Sequence, residues 1–199
     1  MTTLLDPAAI RAHVQAGGLL AFPTETVWSL SCRPDDPAAV DRLRAAKGRP
    51  DAVPLALGVA DWSHAQAFVA LNPLAQALAH AFLPGPVSLV CPRLDHRLAH
   101  LAPGFGSLSL RVPDHPVAQA VLQATGPLVM TSANRHGEPD PPDRAGVERG
   151  LVGTPDLLVI GDETVAGTAS TVVDCTGDAP RILRQGNVTA DAIGAVLKR

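Results

Sequence analysis

An α/β fold on a mixed, twisted sheet is the class this sequence predicts, and two patterns carry that expectation. Short apolar runs of strand length recur along the chain. Alanine-rich segments that open on Asp-Pro, Asn-Pro or His-Pro alternate with them through the first three-quarters. In the last quarter strands dominate. The run LVM at 128–130 shows no polar alternation, as expected of a central strand covered on both faces.

In chain order, Asp6-Pro7 opens the first helix. The Asp side chain accepts from orphan N–H groups, and proline supplies a helical φ where its missing N–H is harmless. Gly17-Gly18 stops this helix, and LLAF (19–22) follows as a strand. Asp36-Pro37 opens a second helix, which carries Arg42 and Arg44 in its last turns and runs into KGRP (47–50). PLALGV (54–59) reads as a strand, Asn72-Pro73 opens a third helix, and PVSLVC (86–91) and SLSLRV (107–112) are strands. His115 is a poorer cap, so the helix ending near Gly126 rests mainly on Pro116. PLVMT (127–131), LLVI (157–160), STVVDC (170–175) and RILR (181–184) complete the strands. EPDPPD (138–143) reads as a surface loop or hinge, and a final helix runs from Thr189 through Ile193 and Leu197. No internal repeat or low-complexity linker interrupts the chain, so 1–199 is expected to form one domain.

Composition narrows the function classes. The 199 residues are 46% hydrophobic, enough for a packed interior. Aromatics are only 3%, with no Tyr, so the core is built from Leu, Val and Ala, and base recognition by stacked aromatics is disfavoured. A net charge of −3 leaves no global footprint for nucleic acid or an acidic membrane; an anion site must be a local cluster. Cys32, Cys91 and Cys175 are scattered, with no CxxC pair, which fits buried thiols in a reducing compartment. The start MTTLLDPAAIRAH lacks the basic region and apolar stretch of a signal peptide, and no apolar run reaches spanning length. A cytoplasmic protein is the expectation.

Three segments invite chemistry. In KGRP, Gly48 and Pro50 fix the turn around Lys47 and Arg49. Cations at a helix C-terminus ordinarily offset the negative end of its dipole, which accounts for Arg42 and Arg44. A rigid pair on a loop suits an anion better than solvent. TSAN (131–134) follows a buried run and puts hydrogen-bonding groups at the carboxyl edge of a sheet, where open α/β sheets bind ligands; a Ser/Asn turn is the ordinary alternative. FPTET (22–26) also follows a strand, and Thr24 and Thr26 there are equally readable as turn hydroxyls. Arg111 closes SLSLRV and Arg184 closes RILR. Four strand exits thus present Thr24, Arg111, Ser132 and Arg184, which points to a shared pocket.

Other motifs are absent or incomplete. His96 and His100 have helical i,i+4 spacing, but the Glu of HExxH is missing. Neither the GxxxxGK[ST] loop nor the dinucleotide fingerprint occurs, and Ser132 lacks a GxSxG elbow.

Taken together, PTET (23–26), KGR (47–49), SAN (132–134) and STVVD (170–174) resemble the YrdC/TsaC family, the threonylcarbamoyl-AMP synthases. LPGPVSLV (83–90), LSLRVPDHP (108–116) and ILRQG (182–186) match family segments in the same order, so the resemblance covers nearly the whole chain. It implies one YrdC-like domain, an open twisted sheet with flanking helices and a concave ligand cleft. It implies L-threonine, bicarbonate and ATP as substrates, with Mg²⁺ on the triphosphate, and a product that serves adenosine 37 of tRNA. Transient threonylcarbamoyl-transferase partners, and possible contact with tRNA, are implied as well. By resemblance, Lys47 and Arg49 hold the ATP phosphates and are the catalytic pair. Ser132, Asn134 and Arg184 join them at the nucleotide, and Thr24, Arg111 and Ser170 contact threonine. No resident metal site is expected.

The chain departs from the family in places. PTETVWS replaces the common PTETVYG, so Trp28 and Ser29 stand for Tyr and Gly. Val53 and Gly58 replace a polar residue and a His. These changes are expected to alter the threonine and base-side walls. EPDPPD brings Glu138, Asp140 and Asp143 near the phosphates; they either recruit Mg²⁺ or face solvent, and solvent is the expectation. Two other functions remain compatible: a carbamoyl-adenylate-forming enzyme and a non-catalytic nucleotide- or RNA-binding paralogue.

Overall fold

Four helix starts follow from the Xaa-Pro pairs. In this computed structural model, which describes residues 6–94, 96–151, 153–154, 156–163 and 165–198, α1 (Pro7–Gln15), α2 (Pro37–Lys47), α3 (Pro73–Phe82) and α4 (Pro116–Thr125) all begin on the proline. Asp6, Asp36 and Asn72 accept from the backbone N–H of Ala8, Ala39 and Ala75, whereas His115 makes no side-chain cap. Thr189 caps the last helix, α6 (Ala190–Val196). A short α5 (Arg144–Gly150), capped by Asp143, was not expected: its two glycines and its proline-rich approach hide it. The first five residues, read above for a leader, lie outside the described residues.

The strands are β1 (Leu19–Phe22), β2 (Ser29–Cys32), β3 (Ala56–Gly58), β4 (Val87–Pro92), β5 (Ser107–Arg111), β6 (Leu128–Ser132), β7 (Leu157–Val159), β8 (Thr171–Asp174) and β9 (Arg181–Arg184). They form one mixed sheet in the order β7-β1-β2-β6-β3-β5-β4-β8-β9. Only β2 escaped the sequence reading; Ser29-Leu30-Ser31-Cys32 is too polar to stand out, yet it lies between β1 and β6 and is wholly buried.

Register sorts the side chains onto two faces. Leu30, Leu57, Leu89, Leu110, Val129 and Val173 share one face, and their core includes apolar residues of α2, α3, α5 and α6. On the other face, α1 and α4 cover Leu20, Phe22, Leu128 and Met130 at one end. The remainder of that face carries Ser29, Ala56, Ser88, Ser109 and Val172, and among the described residues no helix closes over it. Among the described residues, no helix is long and apolar enough to cross a membrane.

Arg44, readable from sequence as a helix-end cation, has a structural task. It is 4% exposed. One nitrogen donates to Pro50 O (3.0 Å) and Val53 O (2.9 Å), the other to His100 O and Leu101 O at 3.5 Å. It ties the loop after α2 to the segment before β5. Arg44→Ala leaves these carbonyls without their donor and should lower unfolding free energy by about 1–3 kcal/mol, read by urea denaturation. Arg44→Lys should recover only part, because an ammonium cannot reach four divergent acceptors.

Candidate active site

The four strand-exit residues predicted to share a pocket do so, Arg111, Ser132 and Arg184 through side chains already hydrogen-bonded within the protein and Thr24 as part of a turn. Thr24, Arg111, Ser132 and Arg184 line a cleft of about 480 Å³ over the uncovered sheet face, together with Arg49 and Ser170. The floor is small and hydroxylated: Ser29, Ala56, Ser88, Ser107, Ser109 and Thr131. The signal for it was present in SLSLR. Leu108 and Leu110 point to the core while Ser107, Ser109 and Arg111 point to the cleft.

At one end, the β1–β2 turn is held by Thr24. Its hydroxyl donates to Val27 O (2.7 Å), accepts from the N–H of Thr26 and Val27, and lies 2.9 Å from Thr26 Oγ1. The turn-hydroxyl reading of Thr24 is therefore the geometry observed. Beside it, Arg111 donates to Glu25 Oε1 (2.7 Å), a largely buried ion pair, and to Gly85 O (3.3 Å). Glu25 was not singled out from PTET; its second oxygen is buried without a partner.

Ser170 and Arg184 are fastened together. Arg184 donates to Ser170 O (2.9 and 3.1 Å) and Ser170 Oγ (3.1 Å), and Ser170 Oγ lies 2.9 Å from Ser88 Oγ. The clamp depends on Gly186, where a Cβ would fall 2.2 Å from Ala169 O and 2.5 Å from Thr171 N. Thr171 completes it, accepting from the N–H of Gly186 and Val188.

KGRP divides its two cations. Gly48 takes φ 62 as the left-handed cap of α2, which reverses the chain between them. Lys47, 2% exposed, turns inward, and its ammonium donates to Ser132 O, to Asn134 O (2.7 Å) and to Asn134 Oδ1 (2.9 Å). Ser132 Oγ donates to the same Oδ1 (2.5 Å), and Asn134 Nδ2 donates to Glu138 O (2.5 Å). Lys47 and Asn134 thus build the wall behind Ser132 without lining the cleft. Arg49 turns outward into the cleft, steadied by Pro54 O (2.7 Å), with its Nε buried and unpartnered.

The cations oppose one another. Burial and then Arg49 lower Lys47 to about 8, with Asp140 acting the other way. Arg49 is lowered by burial, Arg44 and Arg184; Arg184 is lowered by burial and Arg111, and Asp140 raises it. A cluster of like charges around a hydroxylated floor is suited to a polyanion. Among the described residues, no group of three His, Cys, Asp or Glu could hold a metal ion. Asp140 Oδ1 is buried without a partner.

Most departures from the resembled pattern lie away from the cleft. Trp28 is fully buried in the core, Val53 contributes its carbonyl to Arg44, and the space of a Cβ at Gly58 is filled by Met130 Sδ, 2.1 Å away. Of the replaced positions, Ser29 reaches the cleft. It sits in regular β2 with its hydroxyl 3.0 Å from Ser31 Oγ, and Asp156 is the sole non-glycine described with positive φ, so no strain attends the lost glycine. His96 and His100 fall in a kinked 3₁₀ segment, where the His100 ring contacts Arg97 O and Pro34 O.

Comparison with known proteins agrees with this geometry. The Sua5/YciO/YrdC family model, described as telomere recombination, matches residues 12–186. The threonylcarbamoyl-AMP synthase of Bacillus subtilis is 35% identical over 197 residues, 96% of this chain and 57% of that protein. The crystal structure of Pyrococcus abyssi Sua5 complexed with L-threonine superposes with a TM-score of 0.89 at 32% identity, over 96% of this chain and 58% of that one. Escherichia coli YciO gives 0.81 at 25% identity, over 94% of both chains. This chain therefore spans little more than half the length of the first two relatives.

The Lys47 cage predicts a pH dependence. The folded value near 8 lies below the unfolded one. Between the two, the unfolded chain holds more protons here, so this group's contribution to stability rises with pH. The same proton loss removes a donor from the wall behind Ser132. Affinity for inorganic triphosphate, measured by calorimetry, should fall as pH rises through about 8. Lys47→Met should flatten that profile and weaken binding at neutral pH by about tenfold to a hundredfold.

Proposed function

Because this chain belongs to the Sua5/YciO/YrdC family, we propose that it is a threonylcarbamoyl-AMP synthase, a nucleotidyltransferase that joins L-threonine, bicarbonate and ATP and releases pyrophosphate. One observation carries the reading: Arg49, Arg111 and Arg184 converge on a single cleft floored by hydroxyls. The B. subtilis relative bears that activity in its name, and the P. abyssi relative was crystallised with L-threonine.

The reaction needs two anions brought together. The threonine amine adds to bicarbonate with loss of water, giving a carbamate. A carbamate oxygen then attacks the α-phosphorus, and pyrophosphate leaves as that bond breaks. Arg49 and Arg184 face the phosphates and oppose the charge that grows on the leaving group. Lys47 acts from behind, holding Ser132 and Asn134 in place. Arg111, beside Thr24 and Ser170, receives the threonine carboxylate and shares its guanidinium with Glu25. Phe105 and Leu183, apolar and about half exposed at the outer end, give the base a surface. Mg²⁺, carried by the triphosphate, supplies further neutralisation there. No general base is assigned; positioning and electrostatics carry the step.

The same reading places the protein in the cytoplasm, as one domain that hands its product to transferases acting on adenosine 37 of tRNA. Three free, buried cysteines support a reducing compartment.

The test is pyrophosphate release with ATP, Mg²⁺ and bicarbonate, adding threonine, serine or carbamoyl phosphate in turn. Threonine-dependent release that stops when bicarbonate is excluded is the expected result. Arg49→Ala should lower it by about tenfold to a hundredfold, with Arg49→Lys recovering only part. Release with carbamoyl phosphate alone would instead make this a carbamoyl-adenylate-forming enzyme. Silence with every acceptor despite ATP binding would leave a non-catalytic paralogue.

A further inference from the structure

Ser31 does not line the cleft, yet it governs what Ser29 can offer there. It is fully buried in β2, with Leu20 and Met130 as its cross-strand neighbours. Among the described residues, its hydroxyl has one hydrogen-bond partner, Ser29 Oγ at 3.0 Å. Distance alone leaves the donor open, and the surroundings decide it. A hydroxyl carries one proton and can accept two. Were Ser29 to donate, the Ser31 proton would be stranded without an acceptor between two apolar side chains, which is costly for a buried polar group. Donation therefore runs from Ser31 to Ser29. The proton of Ser29 is left over, and the bond that Ser29 accepts polarises its hydroxyl into a better donor.

The sheet sets where that proton goes. Register puts Ser29 on the cleft face, directly opposite Ser132 of β6, and the Cβ atoms of such a pair lie about 4.5–5.5 Å apart. Ser29 lines the cleft, as do Thr24 and Val27 of the turn that leads into β2. The hydroxyls on either side are already committed as donors, Thr24 to Val27 O and Ser132 to Asn134 Oδ1. Among the described residues, Ser29 has no hydrogen-bond partner other than Ser31. Its proton is free for a ligand.

We propose that Ser29 is a catalytic residue: primed by Ser31, its hydroxyl donates a hydrogen bond to a non-bridging oxygen of the α-phosphoryl group as the carbamate oxygen bonds to phosphorus and the bond to pyrophosphate breaks. Ser29 transfers no proton; it stabilises negative charge on the oxygens around the reacting phosphorus. Ser31 touches no substrate and is a positioning residue. The inference rests on the synthase reading given above, which puts Thr24 at the threonine end and Ser132 at the nucleotide end.

The test uses the full chain and pyrophosphate release with threonine, bicarbonate, ATP and Mg²⁺, over a cycle of Ser29→Ala, Ser31→Ala and the double variant. Calorimetry with inorganic triphosphate and with threonine reports the binding of each half alone. Ser29→Ala should lower kcat by about tenfold to a hundredfold, as for a lost hydrogen bond to a charged group. KM for ATP and threonine, and both calorimetric affinities, should stay near wild type. Ser31→Ala should lower kcat less, since the Ser29 hydroxyl remains. The double variant should match Ser29→Ala in kcat, because Ser31 acts only through Ser29. Removing both partners of the buried bond should also leave Tm near wild type, so the double variant decides if Ser29→Ala, which strands the Ser31 proton, fails to fold. Ser29→Thr, which keeps the hydroxyl, should retain part of kcat. Wild-type kcat in the double variant overturns the proposal. So does a rise in KM for either substrate with kcat unchanged, which would make Ser29 part of the shape of the floor only. Losses that multiply between the two single variants overturn the priming by Ser31. A wild-type chain that releases no pyrophosphate overturns the synthase reading and this proposal with it.

Discussion

A single buried ammonium joins the two halves of the cationic wall. Lys47 ends α2, and its three donors go to Ser132 O, Asn134 O and Asn134 Oδ1, at the exit of β6. An ammonium has three protons and no acceptor, so burial is tolerable only where three acceptors already converge. The converse also holds. Ser132 and Asn134 keep their positions because a fixed donor stands behind them, and the return bond from His136 N to Lys47 O closes the link. Gly48, in a conformation that L side chains rarely adopt, then sends Arg49 the opposite way. One turn thus yields a structural cation and a cleft-facing one.

The cleft is electrostatically frustrated by design of its walls. Lys47, Arg49 and Arg184 are each depressed by burial and then by a neighbouring cation. Such an arrangement draws on stability supplied elsewhere, by an apolar core that spans the whole opposite face of the sheet. What the walls gain is preorganisation: the guanidinium of Arg184 is held by Ser170 before any anion arrives, and that of Arg49 by Pro54 O. Little reorganisation is then needed at the moment charge develops.

Local chemistry was legible in the sequence, and direction was not. Asp6, Asp36 and Asn72 act within three residues of themselves, so their caps were readable without a fold. Strand-length apolar runs were readable for the same reason. β2 was missed because Ser29 and Ser31 lie on the hydroxylated face, where a buried strand looks like a loop. KGRP was recognised as a rigid cationic turn, but nothing in the four letters says that Lys47 points in and Arg49 out; that depends on acceptors more than eighty residues away. Trp28, Val53 and Gly58 looked like altered cleft walls because they flank site motifs. In three dimensions, Trp28 fills the core and Met130 occupies the space at Gly58. Proximity along the chain is a poor guide to which face of a strand or turn a residue serves.

The position of the cleft follows from where helices stop. α1 and α4 cover Leu20, Phe22 and Leu128, and beyond them the same face would expose apolar strands had it been built of leucine. Serine and alanine at Ser29, Ala56, Ser88 and Ser109 let that face meet water and leave room above it. Its two ends then differ in kind. Arg111 already shares a carboxylate, so an incoming small acid exchanges or divides a partner there, and the net electrostatic gain is modest. Arg49 and Arg184 have backbone and hydroxyl contacts but, among the described residues, no carboxylate bonded to them, so an arriving polyanion meets cations with charge to spare. On the proposed reading, the binding energy of the two substrates would therefore be weighted towards the phosphate end, while the Arg111 end would discriminate by fit.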